Sequence, residues 1–253
     1  MSGRPLPDIA VPRLVLWRHG RTAWNAAGRF QGQLDPPLDA TGHQQARETA
    51  PLLAAAGVGA ADSVLVSSDL VRAVQTATAL GDLLGLPLRC DERLRENGLG
   101  SWEGLTRDEV AERFPDQFAD WMAGRPVPGR GGEQPPEVAA RALAALADLP
   151  PAPVAVVVTH GGTSLRMIEA LLELGSQQRR VLGPLGNCRW SELRSRDGRW
   201  RLTQHNTGLP PGTATGSVLP DRRSGGDVGV DVGGAPATVD DGTAPAQDAD
   251  ASS

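Results

Sequence analysis

Residues 154–162 read "VAVVVTHGG". The run from Val154 to Val158 is apolar without a break, closed by Thr159, and no polar residue alternates with the apolar ones. A strand covered on both faces by helices in a parallel sheet has this pattern. The run stops at His160, passes two glycines and turns into "TSLRMIEALLEL", whose apolar residues recur at helical spacing. A second stretch has the same grammar: "RLVLW" (13–17) ends in Arg18, His19 and Gly20 before a polar segment that closes on Asn25. Functional groups in open α/β sheets gather at the carboxyl ends of strands. The sequence therefore delivers two histidines to such ends.

Outward from these two strands, "SVLVSS" (63–68) and "LPLRCD" (86–91) read as further β runs. "LDATGHQQARETAPLLAAAGV" is expected to be helical, with a turn at Thr41-Gly42 and a stop at Gly57. Ser68 or Asp69 is expected to cap the helix "LVRAVQTATALGDLLG". Residues 92–136 are rich in loops, with short helical pieces such as "TRDEVAERF", and a helix follows at "EVAARALAALADL". Two closing strands, "CRWSELRS" and "RWRLTQH", are joined by Asp197-Gly198, a strong hairpin signal. Strands alternating with helices predict an α/β three-layer sandwich: a mainly parallel central sheet, helices on both faces and an antiparallel edge. One domain is expected over residues 12–207, after a flexible leader at 1–11.

From Gly208 onward the sequence contains no aromatic residue and is built of Gly, Ala, Asp, Pro, Thr and Ser. Such a composition buries too little apolar surface to offset ordering, so 208–253 is expected to be a disordered acidic tail. Its seven aspartates and two arginines carry the net charge of −5 of the whole chain, and the body is balanced. A balanced body argues against a nucleic-acid binder. All 25 cationic residues are arginines. Without lysine, a P-loop and Schiff-base or pyridoxal chemistry are excluded. Cys90 and Cys188 form no CxxC pair and read as small apolar strand residues of a reduced compartment. No stretch has the apolar length of a signal peptide or a membrane span, so a cytoplasmic protein with no membrane partner is expected.

The strand ends bring a consistent chemistry together. Besides His19 and His160, the second strand leads to Arg72, one turn into its helix, and the third leads to Glu96 in "DERLRENGLGSWEG". Glycines beside both histidines let backbone N–H groups approach an anion where a helix begins. Arginine's planar fork matches phosphate oxygens. A neutral imidazole can attack phosphorus, and a protonated carboxyl can supply a proton to the departing alcohol. Glu96 is the best-placed acid, with Glu92 and Glu103 as neighbours of the same type and Arg93 and Arg95 able to pair with any of them.

"RHGRTAWN", "GRFQG", "SSDLVRAVQTA", "LRENGLGSWEGLT" and "VTHGG" occur in the order that marks the histidine phosphatase (phosphoglycerate mutase-like) superfamily, which the chain resembles over residues 13–206. The resemblance implies that His19 is phosphorylated. It implies that Arg18, Asn25, Arg72 and His160 line the phosphate pocket, and that Thr22, Gln31 and Gly32 lie on the substrate side; Gly20 and Gly161 join the phosphate-binding set through their backbone N–H groups. Glu96 is implied as the proton donor, and Asn97 departs from the aliphatic residue many relatives carry there. The short, loop-rich stretch between Glu96 and His160 lacks the long basic insertion of mutases, so hydrolysis is favoured over a mutase-type transfer. "QGQLDPPL", "LRENGLGSWEGLT" and "GNCRWSEL" further resemble the actinobacterial glucosyl-3-phosphoglycerate phosphatase subfamily. That likeness implies a phosphomonoesterase acting on a small phosphorylated metabolite, without cofactor. A mutase and a non-catalytic phospho-ligand binder or scaffold stand as alternatives, and a homodimer is the assembly entertained.

Other polar residues fit duller roles. His43 and His205 read as surface or edge residues, no histidine or cysteine spacing suits zinc, and no metal is expected. "GLGSWEG" misses the dinucleotide-binding glycine pattern by one position. Trp102 and Trp121 read as packing residues, Trp121 with a lid role open. "RGGEQPPEV" resembles the lid of family phosphatases, where Glu133 either faces the pocket or serves a helix start.

Overall fold

The computed structural model describes residues 6–175, 178 and 181–209. The strands are β1 (Arg13–Arg18), β2 (Ser63–Ser67), β3 (Leu88–Cys90), β4 (Val154–Thr159), β5 (Trp190–Arg196) and β6 (Arg199–Thr207). The helices are α1 (Ala23–Ala26), α2 (Ala40–Ala55), α3 (Val71–Leu84), α4 (Arg107–Arg113), α5 (Pro115–Met122), α6 (Pro135–Ala147) and α7 (Gly161–Leu171). All six strands join one sheet in the order β3-β2-β4-β1-β5-β6. The first four of that order are parallel, and β5 and β6 add the antiparallel edge.

Side-chain alternation in the buried strands separates two apolar layers. Leu14, Leu16, Ala155 and Val157 meet Ala142 and Leu146 of α6 and Met167, Ile168 and Leu171 of α7. Val15, Trp17, Val156 and Val158 meet Ala46, Ala50 and Leu53 of α2 and Ala73, Ala77 and Leu80 of α3. Each fully buried Leu, Val or Met contributes about 1.5–3 kcal/mol relative to exposure. That contribution is why β4 tolerates no polar residue before its tip. Phe30, Leu99, Trp102, Val110, Trp121 and Val127 form a third cluster between the 30s loop and the segment 99–127. Both tryptophans pack there, Trp102 fully buried and Trp121 edge-on to it.

Several local expectations give way to tertiary contacts. Thr41-Gly42 is no turn but the first turn of α2, capped by the Asp39 side chain on the Gly42 N–H (2.8 Å). Gly42 is needed for close approach: a Cβ there would lie 2.0 Å from the Arg21 carbonyl oxygen, and one on Gly20 would lie 2.6 Å from the Gly42 carbonyl oxygen. The N-cap position of α3 is Leu70, which has no side-chain cap bond of its own; Ser68 Oγ accepts from the Leu70 N–H (3.3 Å), and Asp69 pairs with Arg95. Cys188 lies in the turn before β5 with φ +54, not in a strand, and burial pushes its thiol pKa up. Cys90 in β3 is exposed. The leader packs in part: Val11 is fully buried in the α6–α7 layer, with Leu6 and Ile9 against it. The expected tail falls, beyond Gly208 and Leu209, outside the described residues.

Candidate active site

Strand register builds the site. β1 and β4 are adjacent and pair Arg18 with Thr159, so His19 and His160 emerge side by side one residue later. The His19 N–H donates to the Thr159 carbonyl (3.0 Å), and the two imidazole rings lie 5.1 Å apart between centroids. Both are fully buried. Nδ1 of His19 lies 2.7 Å from the Gly20 carbonyl oxygen, which can only accept. Nδ1 therefore carries the proton, and in the neutral ring Nε2 is the nitrogen with the lone pair. Gly20 is held in turn by its N–H on Thr76 Oγ1 (3.0 Å).

On the other side of β4, β2 ends at Ser67 opposite Val158. Ser68 Oγ lies 2.9 Å from Nε2 of His160, fixing that ring. One helical turn before Thr76, Arg72 of α3 is fully buried and donates to the carbonyls of Leu34 (2.7 Å) and Gly32 (2.9 Å). Arg18 is buried and donates to the Leu185 carbonyl (2.5 Å).

Thr22, Asn25 and Gln31 form one unit. Thr22 caps α1, accepting from the Asn25 N–H, while Asn25 Oδ1 accepts from the Thr22 N–H (both 3.1 Å). Thr22 Oγ1 donates to Gln31 Oε1 (3.0 Å). Asn187 Nδ2 ties the unit to the nucleophile strand, 3.2 Å from the His19 carbonyl and 3.3 Å from Asn25 Oδ1. With both amide oxygens used, the amide nitrogens Asn25 Nδ2 and Gln31 Nε2 are buried donors with no hydrogen-bond partner among the described residues. Buried donors left unmade cost about 1–3 kcal/mol each. A unit that keeps two of them and is tied through Asn187 to the His19 carbonyl is built for an acceptor such as an anionic oxygen.

Glu96 lies on the first turn of α7. Its Oε2 accepts from the Gly162 N–H (3.0 Å) and its Oε1 from the Thr163 N–H (3.0 Å) and the Asn97 N–H (2.8 Å). A Cβ on Gly162 would sit 2.6 Å from Oε1, so a glycine is required there. Glu92 is exposed, and Glu103 caps the N–H groups of Leu99 (2.9 Å) and Gln33 (3.2 Å), leaving Glu96 as the carboxylate beside His160. Arg93 pairs with Asp91 and Asp148, and Arg95 with Asp69. The hydrogen bond from Arg95 holds the Asp69 carboxyl below its ordinary range.

The structure thus brings together His19, His160, Arg18, Arg72, Thr22, Asn25, Gln31 and Glu96, with Gly32 contributing its carbonyl and Gly161 opening α7. It corrects the expectation of an open N–H donor at Gly20, which is taken by Thr76, and the N–H of Gly162, one residue beyond Gly161, is taken by Glu96. Sequence reasoning missed Ser68, Thr76 and Asn187. Ser68 was findable, since it stands at a strand's carboxyl end as the histidines do. Glu133 does not reach into the pocket as a free carboxylate. Burial opposes its ionisation, but hydrogen bonds from Arg141, Gly98 and Gln33 outweigh it and hold its pKa below the ordinary value. His205 bridges Ser191 Oγ and the Gly183 carbonyl at the edge, and among the described residues no group of three or more His, Cys, Asp and Glu could hold a metal ion.

Comparison with known proteins agrees with this geometry. Residues 14–208 match the family model of the Histidine phosphatase superfamily (branch 1). The chain is 38% identical over 223 residues to a glucosyl-3-phosphoglycerate phosphatase of Mycolicibacterium vanbaalenii, covering 78% of this chain and 96% of that protein. It is 34% identical over 196 residues to a probable phosphoglycerate mutase of an Enterobacter species, covering 74% and 87%. The structure of a mycobacterial glucosyl-3-phosphoglycerate phosphatase in complex with VO3 superposes with a TM-score of 0.70 at 39% identity, over 78% of this chain and all of the other. Likeness in sequence and in fold, spread over nearly all of the described residues, makes this chain a member of the histidine phosphatase superfamily.

Proposed function

We propose that the chain hydrolyses small phosphate monoesters through a phosphohistidine at His19. The observation that carries this reading is the hydrogen bond of His19 Nδ1 to the Gly20 carbonyl, which turns the lone pair of a buried imidazole to Nε2 beside a second buried imidazole. Nε2 attacks phosphorus, the bond from phosphorus to the ester oxygen breaks, and Glu96 gives its proton to the leaving alkoxide. In the second half, the Glu96 carboxylate takes a proton from water, the hydroxide attacks phosphorus, and the phosphorus–nitrogen bond breaks to release inorganic phosphate. Arg18, Arg72, His160 and the orphan amides of Asn25 and Gln31 hold the phosphoryl oxygens through both transition states.

The substrate class follows from relatives named for glucosyl-3-phosphoglycerate, and hydrolysis of that phosphate ester is the specific activity we assign. The partner is this small metabolite, with no nucleic acid or membrane, and the compartment is the cytoplasm. Among the described residues no helix is long and apolar enough to cross a membrane. A homodimer is compatible with this reading.

The test is turnover of p-nitrophenyl phosphate and of a phosphomonoester panel that includes glucosyl-3-phosphoglycerate, with acid-labile phosphoenzyme trapped on denaturation. His19→Ala should lose activity by a factor of about 10³ or more and trap no phosphate. Retained turnover would overturn the mechanism. Interconversion of 3- and 2-phosphoglycerate stimulated by the bisphosphate would assign the mutase reaction instead. Binding without turnover would leave a phospho-ligand binder.

A further inference from the structure

We propose that Arg141 and Glu133 are positioning residues for Glu96, an inference that rests on the phosphohistidine reading above. Residues 93–98 belong to no strand or α-helix beyond the 3-10 turn Glu92–Leu94, so their backbone groups have no ladder to join. Side chains from α6, β4 and α7 and from the 30s loop take that place. The Arg93 carbonyl accepts from Arg141 Nη1 (2.7 Å), and the Leu94 carbonyl from Thr159 Oγ1 (2.7 Å). The Arg95 carbonyl accepts from Arg141 Nη1 (2.7 Å) and Thr163 Oγ1 (2.8 Å). The Glu96 carbonyl accepts from Arg141 Nη2 (3.0 Å) and Gln33 Nε2 (3.2 Å).

Arg141, on α6, is the common member. Its Nε and Nη2 also bind the two oxygens of Glu133 (2.6 and 2.8 Å). The five N–H bonds of the guanidinium thus meet five acceptors, a match that lysine's three donors cannot reproduce. Glu133 passes the restraint onward: its Oε2 accepts from the Gly98 N–H (2.9 Å), and its own N–H donates to the Gly98 carbonyl (2.9 Å). That backbone approach needs Gly132, where φ is +72 and a Cβ would lie 2.1 Å from the Gly98 carbonyl oxygen. Glu96 is therefore held from behind at its peptide group by α6 and the segment 131–134, while its carboxylate rests on α7. A displacement of about 1 Å in a reacting group can cost about 10²-fold in rate. The pair accordingly acts through Glu96 and not on the phosphate itself.

Leaving-group dependence separates positioning of an acid from general damage. p-Nitrophenolate departs with little need of a proton, whereas an alkoxide needs one. The experiment measures kcat/KM, which ends at departure of the alcohol and so leaves out the hydrolysis of the phosphohistidine common to all esters, for Arg141→Lys, Glu133→Gln and Glu96→Gln on p-nitrophenyl phosphate and on the best alkyl phosphate of the panel, with thermal melts alongside. Arg141→Lys should lose about 100-fold in kcat/KM on the alkyl ester and less than about fivefold on the aryl ester. Glu133→Gln, which keeps shape and removes charge, should show the same asymmetry at about tenfold, and it carries the test if Arg141→Lys does not fold. Glu96→Gln should show it most strongly. Equal losses on both esters in Glu133→Gln, with the asymmetry intact in Glu96→Gln, would overturn the positioning role and leave the mechanism standing. Equal losses in Glu96→Gln would overturn the acid assignment itself, and the positioning role with it.

Discussion

Arginine occurs in two opposite settings at the two ends of this sheet. At the carboxyl ends of β1 and β2, Arg18 and Arg72 are buried, and their guanidinium N–H groups lie on the carbonyls of Leu185, Leu34 and Gly32. On the β5–β6 hairpin, Arg194 faces Arg201 and Arg196 faces Arg199 across the strands, all exposed to water. Like charges directly opposite cost a little, and water screens them. Charges on an edge strand also oppose pairing with another chain. The dehydrated pair is different, because a buried charge loses its hydration and is kept only where fixed dipoles or an anion replace it. Dehydration, and not residue type, turns an arginine into a binding group.

The sharpest way to break this contrast is Arg72→Lys. The charge survives, but a single ammonium cannot keep both carbonyl bonds in one plane, and kcat/KM on p-nitrophenyl phosphate should fall about 10²–10³-fold. A loss of less than about fivefold would mean that charge alone suffices. Next comes Gly162→Ala, whose added methyl displaces the Glu96 carboxylate from the N-terminus of α7. Kinetics and thermal melts should show a loss of about tenfold or more in kcat with about 1–3 kcal/mol of destabilisation. Wild-type kcat in that variant would detach the glycine from the acid.

Between the two settings stands Glu192, buried in β5 and shared by Arg13 and Arg194 (2.7 Å each). Burial raises its pKa, but the two arginine hydrogen bonds outweigh that and leave it below its ordinary value of 4.5. A depressed folded-state pKa contributes stability that is fully present above the unfolded value and is lost as pH falls through the folded one. Glu192→Gln should therefore cost about 1–2 kcal/mol near neutral pH, and the gap to wild type should close below about pH 4.5. A gap independent of pH in denaturant titrations would remove the carboxylate from that account. The smallest effect is expected at the exposed end. Arg199→Gln and Arg201→Gln should change stability by less than about 0.5 kcal/mol and leave kcat/KM within about twofold.

Legibility in the sequence followed the locality of the physics. The apolar runs and their histidine tips exposed the sheet, because strand burial and strand ends are properties of consecutive residues. Asp197-Gly198 announced its hairpin for the same reason, both residues taking positive φ. Thr41-Gly42 misled, since its glycine serves an approach to Arg21 from a different segment. Asp69 misled likewise, drawn from the cap of α3 to Arg95, while the Ser68 hydroxyl serves both the Leu70 N–H at the helix start and His160. Arg141 carried no signal at all: in a helix full of alanines it reads as a solvent-facing charge.

Taken alone, the order of residues determined a covered parallel sheet, two histidines at neighbouring tips and a chemistry of arginine, imidazole and carboxylate. Only the tertiary structure decided which carboxylate stands beside His160, which imidazole nitrogen keeps its lone pair and which of 25 arginines lose their water. The reason is physical: strand pattern is written within a few residues, whereas hydrogen-bond direction and dehydration depend on groups brought together from far apart in the chain.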